Sequence, residues 1–233
     1  MRLLIIRHAD PDYANNTITE YGHREAEALA RRLQAEGVDR MYCSPLGRAV
    51  HTMRYTADLL KMEAAIEYWT QELSGLDVES EWGRLGLWDL PGEAYRAGET
   101  RPAFDTWRRM PPLDEARVGE TMDRLARSSD AFLERHGYAR EGRRYRVIQS
   151  SRERVAVFCH GAFGLAWVAH LLEIPLPLVW VGFWLPPSSV TTILMEERSP
   201  HWAVPRCIGL GNVSHLYAAG LPMRPRGLFA LNQ

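Results

Sequence analysis

The sequence predicts an α/β fold, specifically a three-layer α/β/α sandwich with a mostly parallel central sheet. Short, continuous apolar runs at 3–6 and 155–159 are typical of strands that are buried on both faces. Segments with apolar residues at helical spacing follow these runs along the chain. Strands that alternate with helices favour a parallel sheet covered by helices on both sides.

The first half of the chain shows this alternation most regularly. Thr19 stands where a residue can cap a helix, and Gly37 stands where that helix would end. A second helical stripe follows Ser44 and Pro45. The predicted elements are a strand at 3–6, a helix at 19–37, a strand at 41–43, a helix at 50–60 and a strand at 65–69.

Residues 76–118 interrupt this pattern with poor periodicity, several glycines and prolines, and Trp82, Trp88 and Trp107. Ligands of open α/β sheets bind beyond the carboxyl ends of the strands, so an insertion after the third strand is expected to form a lid there. Regular elements then return: a helix at 120–136, a strand at 155–159, a helix at 164–172, and strands at 190–195 and 202–208. The whole chain, 1–233, is interpreted as a single domain with 76–118 as its lid insertion.

Composition and charge exclude several classes of protein. No run of 18 or more apolar residues is present, so no membrane-spanning helix is predicted. The net charge of −1 gives no overall attraction to nucleic acid, and the arginine-rich stretch 140–146 is interpreted as a solvated turn. The apolar stretch within residues 1–7 is too short for the core of a signal peptide, because an arginine follows it directly. We therefore expect a cytoplasmic protein that binds neither nucleic acid nor membranes.

Three polar clusters each follow a predicted strand. They are Arg7 with His8, the stretch 44–48 that ends in Arg48, and His160 with its following glycine. Each alone is compatible with an ordinary structural role. A parallel sheet brings all three to one edge, however, where two arginines, two histidines and helix N-termini would form a site for a small dianion.

The motifs around these clusters resemble those of a known family. They read Leu-Ile-Ile-Arg-His-Ala at 4–9, Thr-Glu-Tyr-Gly at 19–22, Cys-Ser-Pro-Leu-Gly-Arg-Ala at 43–49 and Val-Phe-Cys-His-Gly at 157–161. In this order they resemble the histidine phosphatase superfamily, the phosphoglycerate mutase-like family named for its Arg-His-Gly signature. The resemblance covers most of the chain and is weakest at 76–118.

The resemblance implies a role for several residues. His8 would attack phosphorus and become a phosphohistidine, while Arg7, Arg48 and His160 would bind the phosphoryl oxygens and stabilise their charge. The family has an acidic proton donor soon after the third strand, and Glu72 matches that place best. His8, Glu72 and His160 are therefore the expected catalytic residues.

The identity of the acid stays open, because the residues after Glu72 depart from the family's usual continuation. Asp77, Glu79 and Glu81 are the alternatives.

Two further positions near the nucleophile depart from the family pattern. Ala9 replaces the signature glycine, which is tolerable if the backbone φ there is negative. Asn16 is the candidate for the family's phosphate-contacting asparagine. Asn15 remains an alternative, since this loop is one or two residues longer than usual.

Four functions remain to be compared. A phosphatase is favoured over a mutase because residues 10–14 read Asp-Pro-Asp-Tyr-Ala instead of the mutase pattern Glu-Ser-x-Trp-Asn. A non-catalytic binder of phosphorylated ligands is suggested by Ala9 and the unsettled acid, but the retained His8 argues against it. A metal hydrolase using His8, Asp10 and His160 is disfavoured, since the arginines would repel a cation.

The expected partner is a small phosphorylated substrate, and inorganic phosphate or sulfate should also occupy the site. No cofactor and no metal are expected, because the three cysteines are widely spaced and no metal-ligand motif is present. The sequence leaves a homodimer open. It does not identify the substrate, although the tryptophans of 76–118 could cover an apolar or aromatic phosphate ester.

Overall fold

The computed structural model describes residues 1–98, 101–114 and 116–232. The strands in these ranges are β1 (Arg2–Arg7), β2 (Pro11–Asp12), β3 (Thr17–Ile18), β4 (Arg40–Cys43), β5 (Ala65–Ile66), β6 (Asp77–Ser80), β7 (Gly83–Gly86), β8 (Tyr138–Glu141), β9 (Arg144–Val147), β10 (Arg154–Cys159), β11 (Val190–Glu197) and β12 (Trp202–Asn212). The helices are α1 (Glu20–Glu36), α2 (Gly47–Leu60), α3 (Gly92–Arg96), α4 (Val118–Arg135), α5 (Gly161–Leu172), α6 (Leu176–Gly182) and α7 (Ser214–Ala218).

Eight strands form the central sheet, in the order β5-β4-β10-β1-β11-β12-β9-β8. The strands from β5 to β1 pair in parallel, whereas those from β1 to β8 pair antiparallel. The sheet is therefore mixed, and its parallel half contains the strands whose ends carry the polar clusters. The predicted α/β fold class is confirmed.

The three layers follow from the two buried faces of the sheet. Along β1, Leu4 and Ile6 belong to the apolar cluster formed with α1 and α2, whereas Leu3 and Ile5 belong to the cluster formed with α4, α5 and α6. Successive side chains of a strand point to opposite faces, so a continuous apolar run buries both. The interpretation of 3–6 as a doubly buried strand is correct.

Most predicted boundaries agree with the structure, with differences at element ends. Thr19 caps α1 by accepting a hydrogen bond from the Gly22 amide at 3.0 Å, and Gly37 follows the helix with a φ of 82°. Helices α2 and α5 begin three residues earlier than predicted. Only 65–66 of the predicted third strand pairs with its neighbour, because residues 68–70 turn into a 3₁₀ helix.

Two segments differ more from expectation. The arginine-rich stretch 140–146 is not a solvated turn; it lies in the β8–β9 hairpin at the edge of the central sheet.

Residues 76–118 contain the β6–β7 hairpin and α3, and the three tryptophans of this segment lie in different environments. Trp107 is buried in the core, Trp82 is 39% exposed, and Trp88 lies half-buried beside the end of the parallel strands.

None of the helices within the described ranges is long and apolar enough to cross a membrane. Cys43 and Cys159 are buried, Cys207 is half-buried, and all three thiols are free.

The start of α2 depends on a close approach that only glycine permits. A Cβ added at Gly47 would lie 2.2 Å from the backbone oxygen of Asn16. We predict that Gly47→Ala lowers the free energy of unfolding by about 1 to 3 kcal/mol, because the loop before β3 must move away. Thermal unfolding checks this, with Gly98→Ala as the control, since nothing lies within 4 Å of a Cβ there. Equal melting temperatures for both variants would contradict the steric account.

Candidate active site

The ends of two adjacent strands bring the predicted histidines together. β1 and β10 pair in parallel with Arg7 opposite Cys159, so the next residue on each strand is a histidine at the same level. The ring centroids of His8 and His160 are 5.3 Å apart, and both side chains are almost completely buried. Both rings can therefore contact one phosphoryl group.

The backbone carbonyl of the next residue, Ala9, holds His8 in one tautomer. Its Nδ1 lies 2.8 Å from the carbonyl oxygen of Ala9, which can only accept, so Nδ1 carries the proton. Burial, and then the charge of Arg7, holds the pKa of His8 well below its usual range. The imidazole is neutral at physiological pH, and its Nε2 lone pair is available as a nucleophile.

Ala9 does not disturb this geometry. Its φ is not among the positive values found in the described chain, so its methyl group causes no backbone strain. The Ala9 amide donates to Thr52 Oγ1 at 2.9 Å, which ties the residue after His8 to α2.

His160 is oriented by Ser44 from the neighbouring strand β4. Ser44 Oγ lies 2.8 Å from His160 Nε2 and also accepts from the Leu46 amide at 3.3 Å. A Ser44 hydroxyl that donates to Nε2 leaves the imidazole proton on Nδ1, the ring nitrogen that has no partner on the protein. Burial, and then the neighbouring His8, holds the pKa of His160 well below its usual range. His160 is thus a neutral imidazole whose Nδ1 faces no partner on the protein.

Arg7 lies across the start of α5. Its Nη1 donates to the carbonyl oxygens of Leu185, at 2.5 Å, and Arg226, at 3.2 Å. A Cβ at Gly161 would come within 3.3 Å of Arg7 Nε, so a glycine at this position leaves room for the guanidinium. The guanidinium is fixed by protein contacts on one side only.

Arg48 and Asn16 meet beside the histidines. Arg48 Nη1 donates to Asn16 Oδ1 at 3.2 Å, and the Arg48 guanidinium lies 5.5 Å from the ring centroid of Tyr13. Burial lowers the pKa of Arg48, whereas nearby Glu72 acts in the opposite direction. Asn15 instead donates to Asp12 at 2.7 Å, so of the two asparagines it is Asn16 that contacts the arginine.

Three nitrogen atoms of this cluster are buried without a hydrogen-bond partner on the protein: Arg7 Nε, Arg48 Nε and His160 Nδ1. A buried donor that lacks a partner costs about 1 to 3 kcal/mol. Three of them, on side chains that adjoin His8, are suited to a ligand rich in acceptor oxygens. The two arginines also supply positive charge, so the arrangement fits a dianion such as a phosphoryl group.

Glu72 lies at the N-terminus of α5, next to His160. Its carboxylate accepts hydrogen bonds from the amides of Phe163, at 2.8 Å, and Ala162, at 3.3 Å. Together with Arg7 it lines a cavity of about 650 Å³. Glu72 is therefore placed at the border between the histidine cluster and this cavity.

The three alternative acids lie elsewhere. Asp77, Glu79 and Glu81 are exposed, and they belong to the β6–β7 hairpin and its turn. Glu79 and Glu81 line a different cavity.

Two parts of the site were missed by the sequence analysis. Asp89 lines the cavity beside Glu72, and its pKa is raised by burial and then by the charge of Glu72. The C-terminal segment 225–229 forms another wall. Asp89 lies in an irregular segment, and 225–229 belongs to a run with several prolines and arginines. Neither local sequence indicated a place at the cavity.

Buried Asp10 holds the C-terminal segment in place. Its carboxylate accepts from Arg226 Nε at 2.8 Å and from Arg224 Nη1 at 3.3 Å. The C-terminal segment therefore contacts the residue two positions after His8.

Within the described ranges, no group of three or more His, Cys, Asp or Glu side chains is placed to hold a metal ion.

The chain is similar in sequence and in fold to known phosphatases. The chain is 25% identical over 210 residues to a putative phosphoserine phosphatase 2 of Hydrogenobacter thermophilus, which covers 85% of this chain and 92% of the relative. A crystal structure of a histidine-to-alanine mutant of phosphoserine phosphatase from Entamoeba histolytica, in complex with phosphoserine, has a TM-score of 0.62 at 19% identity, over 92% of this chain and 98% of that one. Mycobacterial glucosyl-3-phosphoglycerate phosphatase has a TM-score of 0.60 at 17% identity, over 90% and 98%.

A sequence profile of the histidine phosphatase superfamily (branch 1) matches residues 3–206, which is most of the chain. The matched range contains both histidines, both site arginines and Glu72. The family that the motifs predicted is confirmed: this chain belongs to the histidine phosphatase superfamily, branch 1.

Proposed function

We propose that this protein is a phosphatase that hydrolyses phosphate monoesters through a phosphohistidine on His8. One observation carries the proposal: a buried, neutral imidazole with a free Nε2 adjoins three buried nitrogen atoms that have no partner on the protein. A nucleophile surrounded by donors for phosphoryl oxygens is the arrangement that phosphoryl transfer needs.

The first step forms a bond between His8 Nε2 and phosphorus while the bond from phosphorus to the ester oxygen breaks. The leaving oxygen keeps the electron pair and needs a proton. Arg7, Arg48 and His160 bind the phosphoryl oxygens throughout, and their preorganised charge and hydrogen bonds stabilise the transition state. Asn16 supports this clamp through its contact with Arg48.

Glu72 is the proposed proton donor for the leaving oxygen. It lies at the N-terminus of α5, between the histidine cluster and the cavity that would hold the alcohol part of the ester. In the second step the resulting carboxylate takes a proton from water, which attacks phosphorus and releases His8 and inorganic phosphate.

Ser44 is a positioning residue in this mechanism. In this mechanism Ser44 donates to His160 Nε2 and so favours the tautomer with its proton on Nδ1, where it can bind a phosphoryl oxygen. Without this contact the other tautomer would present a lone pair to the phosphoryl oxygens and repel them.

Names of the relatives support a phosphatase over a mutase. The relatives described above are named for phosphoserine and glucosyl-3-phosphoglycerate, two different phosphate monoesters. The expected partner is accordingly a small phosphorylated substrate, with inorganic phosphate or sulfate able to bind the same residues. A lid formed by 76–118, a cytoplasmic location and a homodimer remain predictions.

Mutations can separate the role of His8 as nucleophile from the role of Arg48 in binding the phosphoryl oxygens. We predict that His8→Ala abolishes turnover, whereas Arg48→Ala lowers kcat/KM by roughly 10²- to 10³-fold because the transition state loses one charged donor. Steady-state hydrolysis of a primary alkyl phosphate measures both effects. His201→Ala and Arg127→Ala, which change exposed residues, are the matched controls. Undiminished activity of His8→Ala would remove His8 as the nucleophile.

The acid can be tested by the dependence on the leaving group. Glu72→Gln keeps the size of the side chain but removes its acidity, so alkyl phosphates should be hydrolysed much more slowly while aryl phosphates lose less in the first step. Water attack should also slow, so phosphorylated protein should accumulate after acid quenching and be detected by mass spectrometry. Glu79→Gln, in the exposed hairpin, is the control.

A Glu72→Gln variant that matches wild type on alkyl phosphates would assign the acid to another residue, and Asp89 would then be the next candidate. Wild-type protein that keeps its phosphoryl group stably and passes it to a phosphoglycerate would instead identify a mutase.

A further inference from the structure

The cavity next to the histidine cluster has the size of a small-molecule site, about 650 Å³. Arg7 and Glu72 line it where it meets the cluster. Tyr13 and the first turns of α5 also line it, and the other walls come from three distant parts of the chain: residues 88–89, residues between 180 and 185, and the C-terminal segment 225–229. An ester whose phosphoryl group contacts His8 would extend its alcohol part into this space.

Aromatic rings make up much of the cavity wall. They belong to Tyr13, Trp88, Trp180, Phe183, Trp184 and Phe229. The Trp88 ring lies against Gly86, where an added Cβ would come within 2.7 Å of it, and meets the Trp180 ring edge-on with centroids 6.2 Å apart. The indole N–H groups of Trp180 and Trp184 donate to backbone carbonyls at 3.4 and 3.3 Å. The tryptophans thus offer the cavity mainly apolar ring surface.

Two phenylalanines at the cavity remain exposed. Phe183 is 41% exposed and Phe229 is 77% exposed. A single exposed aromatic side chain is ordinary, but two that line the same cavity as three tryptophans indicate a surface that a ligand covers.

The charges around the cavity disfavour an acidic alcohol part. Glu72 and Asp89 both line it, and burial raises the pKa of Asp89, as does the charge of Glu72. The arginines that line the described part of the cavity are Arg7 and Arg226. Arg7 is directed to the phosphoryl site by its carbonyl contacts, and Arg226 Nε pairs with Asp10. A carboxylate on the alcohol would meet two acids, with no arginine reserved for it.

From these observations, and resting on the proposed phosphatase function, we propose that the cavity selects phosphate monoesters whose alcohol carries a flat, apolar group. Phe183 and Phe229 at the mouth of the cavity and Trp88 in its wall are then the residues that determine specificity. Phosphorylated amino acids and hydroxy acids are then poor substrates, in contrast to the phosphoserine named for two of the relatives.

Esters with similar leaving groups test this selectivity. 2-Phenylethyl phosphate, ethyl phosphate, O-phosphoserine and 3-phosphoglycerate all release a primary alcohol, so differences in kcat/KM report mainly on the cavity. We expect 2-phenylethyl phosphate to exceed ethyl phosphate by about 10- to 100-fold, as burial of a phenyl ring would give. O-Phosphoserine and 3-phosphoglycerate should not exceed ethyl phosphate.

Variants locate the effect. Phe229→Ala and Phe183→Ala should each reduce the ratio of kcat/KM for 2-phenylethyl over ethyl phosphate by roughly 3- to 10-fold, because ring contacts are lost. Both side chains are exposed, so the fold should persist. Tyr217→Ala is the control, since Tyr217 is 90% exposed on α7 and does not line the cavity; it should leave the ratio unchanged.

The outcomes separate this proposal from the phosphatase assignment. Hydrolysis that favours O-phosphoserine, or a ratio that Phe229→Ala and Phe183→Ala leave unchanged, would overturn the selectivity while the phosphatase function stands. Absence of any hydrolysis would instead contradict the phosphatase function. In that case, calorimetric binding of 2-phenylethylphosphonate against ethylphosphonate still decides the selectivity, with equal affinities overturning it.

Discussion

The burial of several polar side chains at one edge of the sheet is the constraint on which the rest of the site depends. His8 and His160 are placed by the parallel register of β1 and β10, and their burial keeps both imidazoles neutral. Two arginines lie beside them, each with a buried Nε that has no partner on the protein. An apolar interior tolerates such groups only when something compensates them, and a phosphoryl dianion supplies both the charge and the acceptors.

The supporting contacts act by fixing each group in one state. Ala9 O sets the tautomer of His8, Ser44 orients the His160 ring, and Asn16 orients Arg48. The proposed attack needs a neutral His8, because a protonated imidazole has no lone pair on Nε2. Burial therefore serves the chemistry directly.

The parallel half of the sheet and the residues at its edge could be predicted from the sequence, because they follow continuous apolar runs. His8, Arg48 and His160 each stand directly after such a run or the turn that follows it. The antiparallel hairpin β8–β9 could not be predicted, because its many arginines are typical of a solvated turn. Asp89 and the wall at 225–229 were also missed, because distant parts of the chain meet there: Asp89 shares the cavity with Glu72, and Asp10 holds 225–229.

Asp10 connects the two ends of the chain. Besides its arginine contacts, its carboxylate accepts from Thr19, the residue that caps α1, and its amide donates to Glu25 of the same helix. Burial raises the pKa of Glu25 to about 7. The loop after His8, the first helix and the C-terminal segment therefore share one buried polar network. This network explains how residues beyond the matched range 3–206 come to line the cavity.

A crystal structure with bound orthovanadate tests the central claim most directly. The account predicts vanadium bonded to His8 Nε2, with oxygens hydrogen-bonded to Arg7 Nε, Arg48 Nε and His160 Nδ1. An anion bound only elsewhere, with these nitrogen atoms free of it at saturating vanadate, would contradict the account.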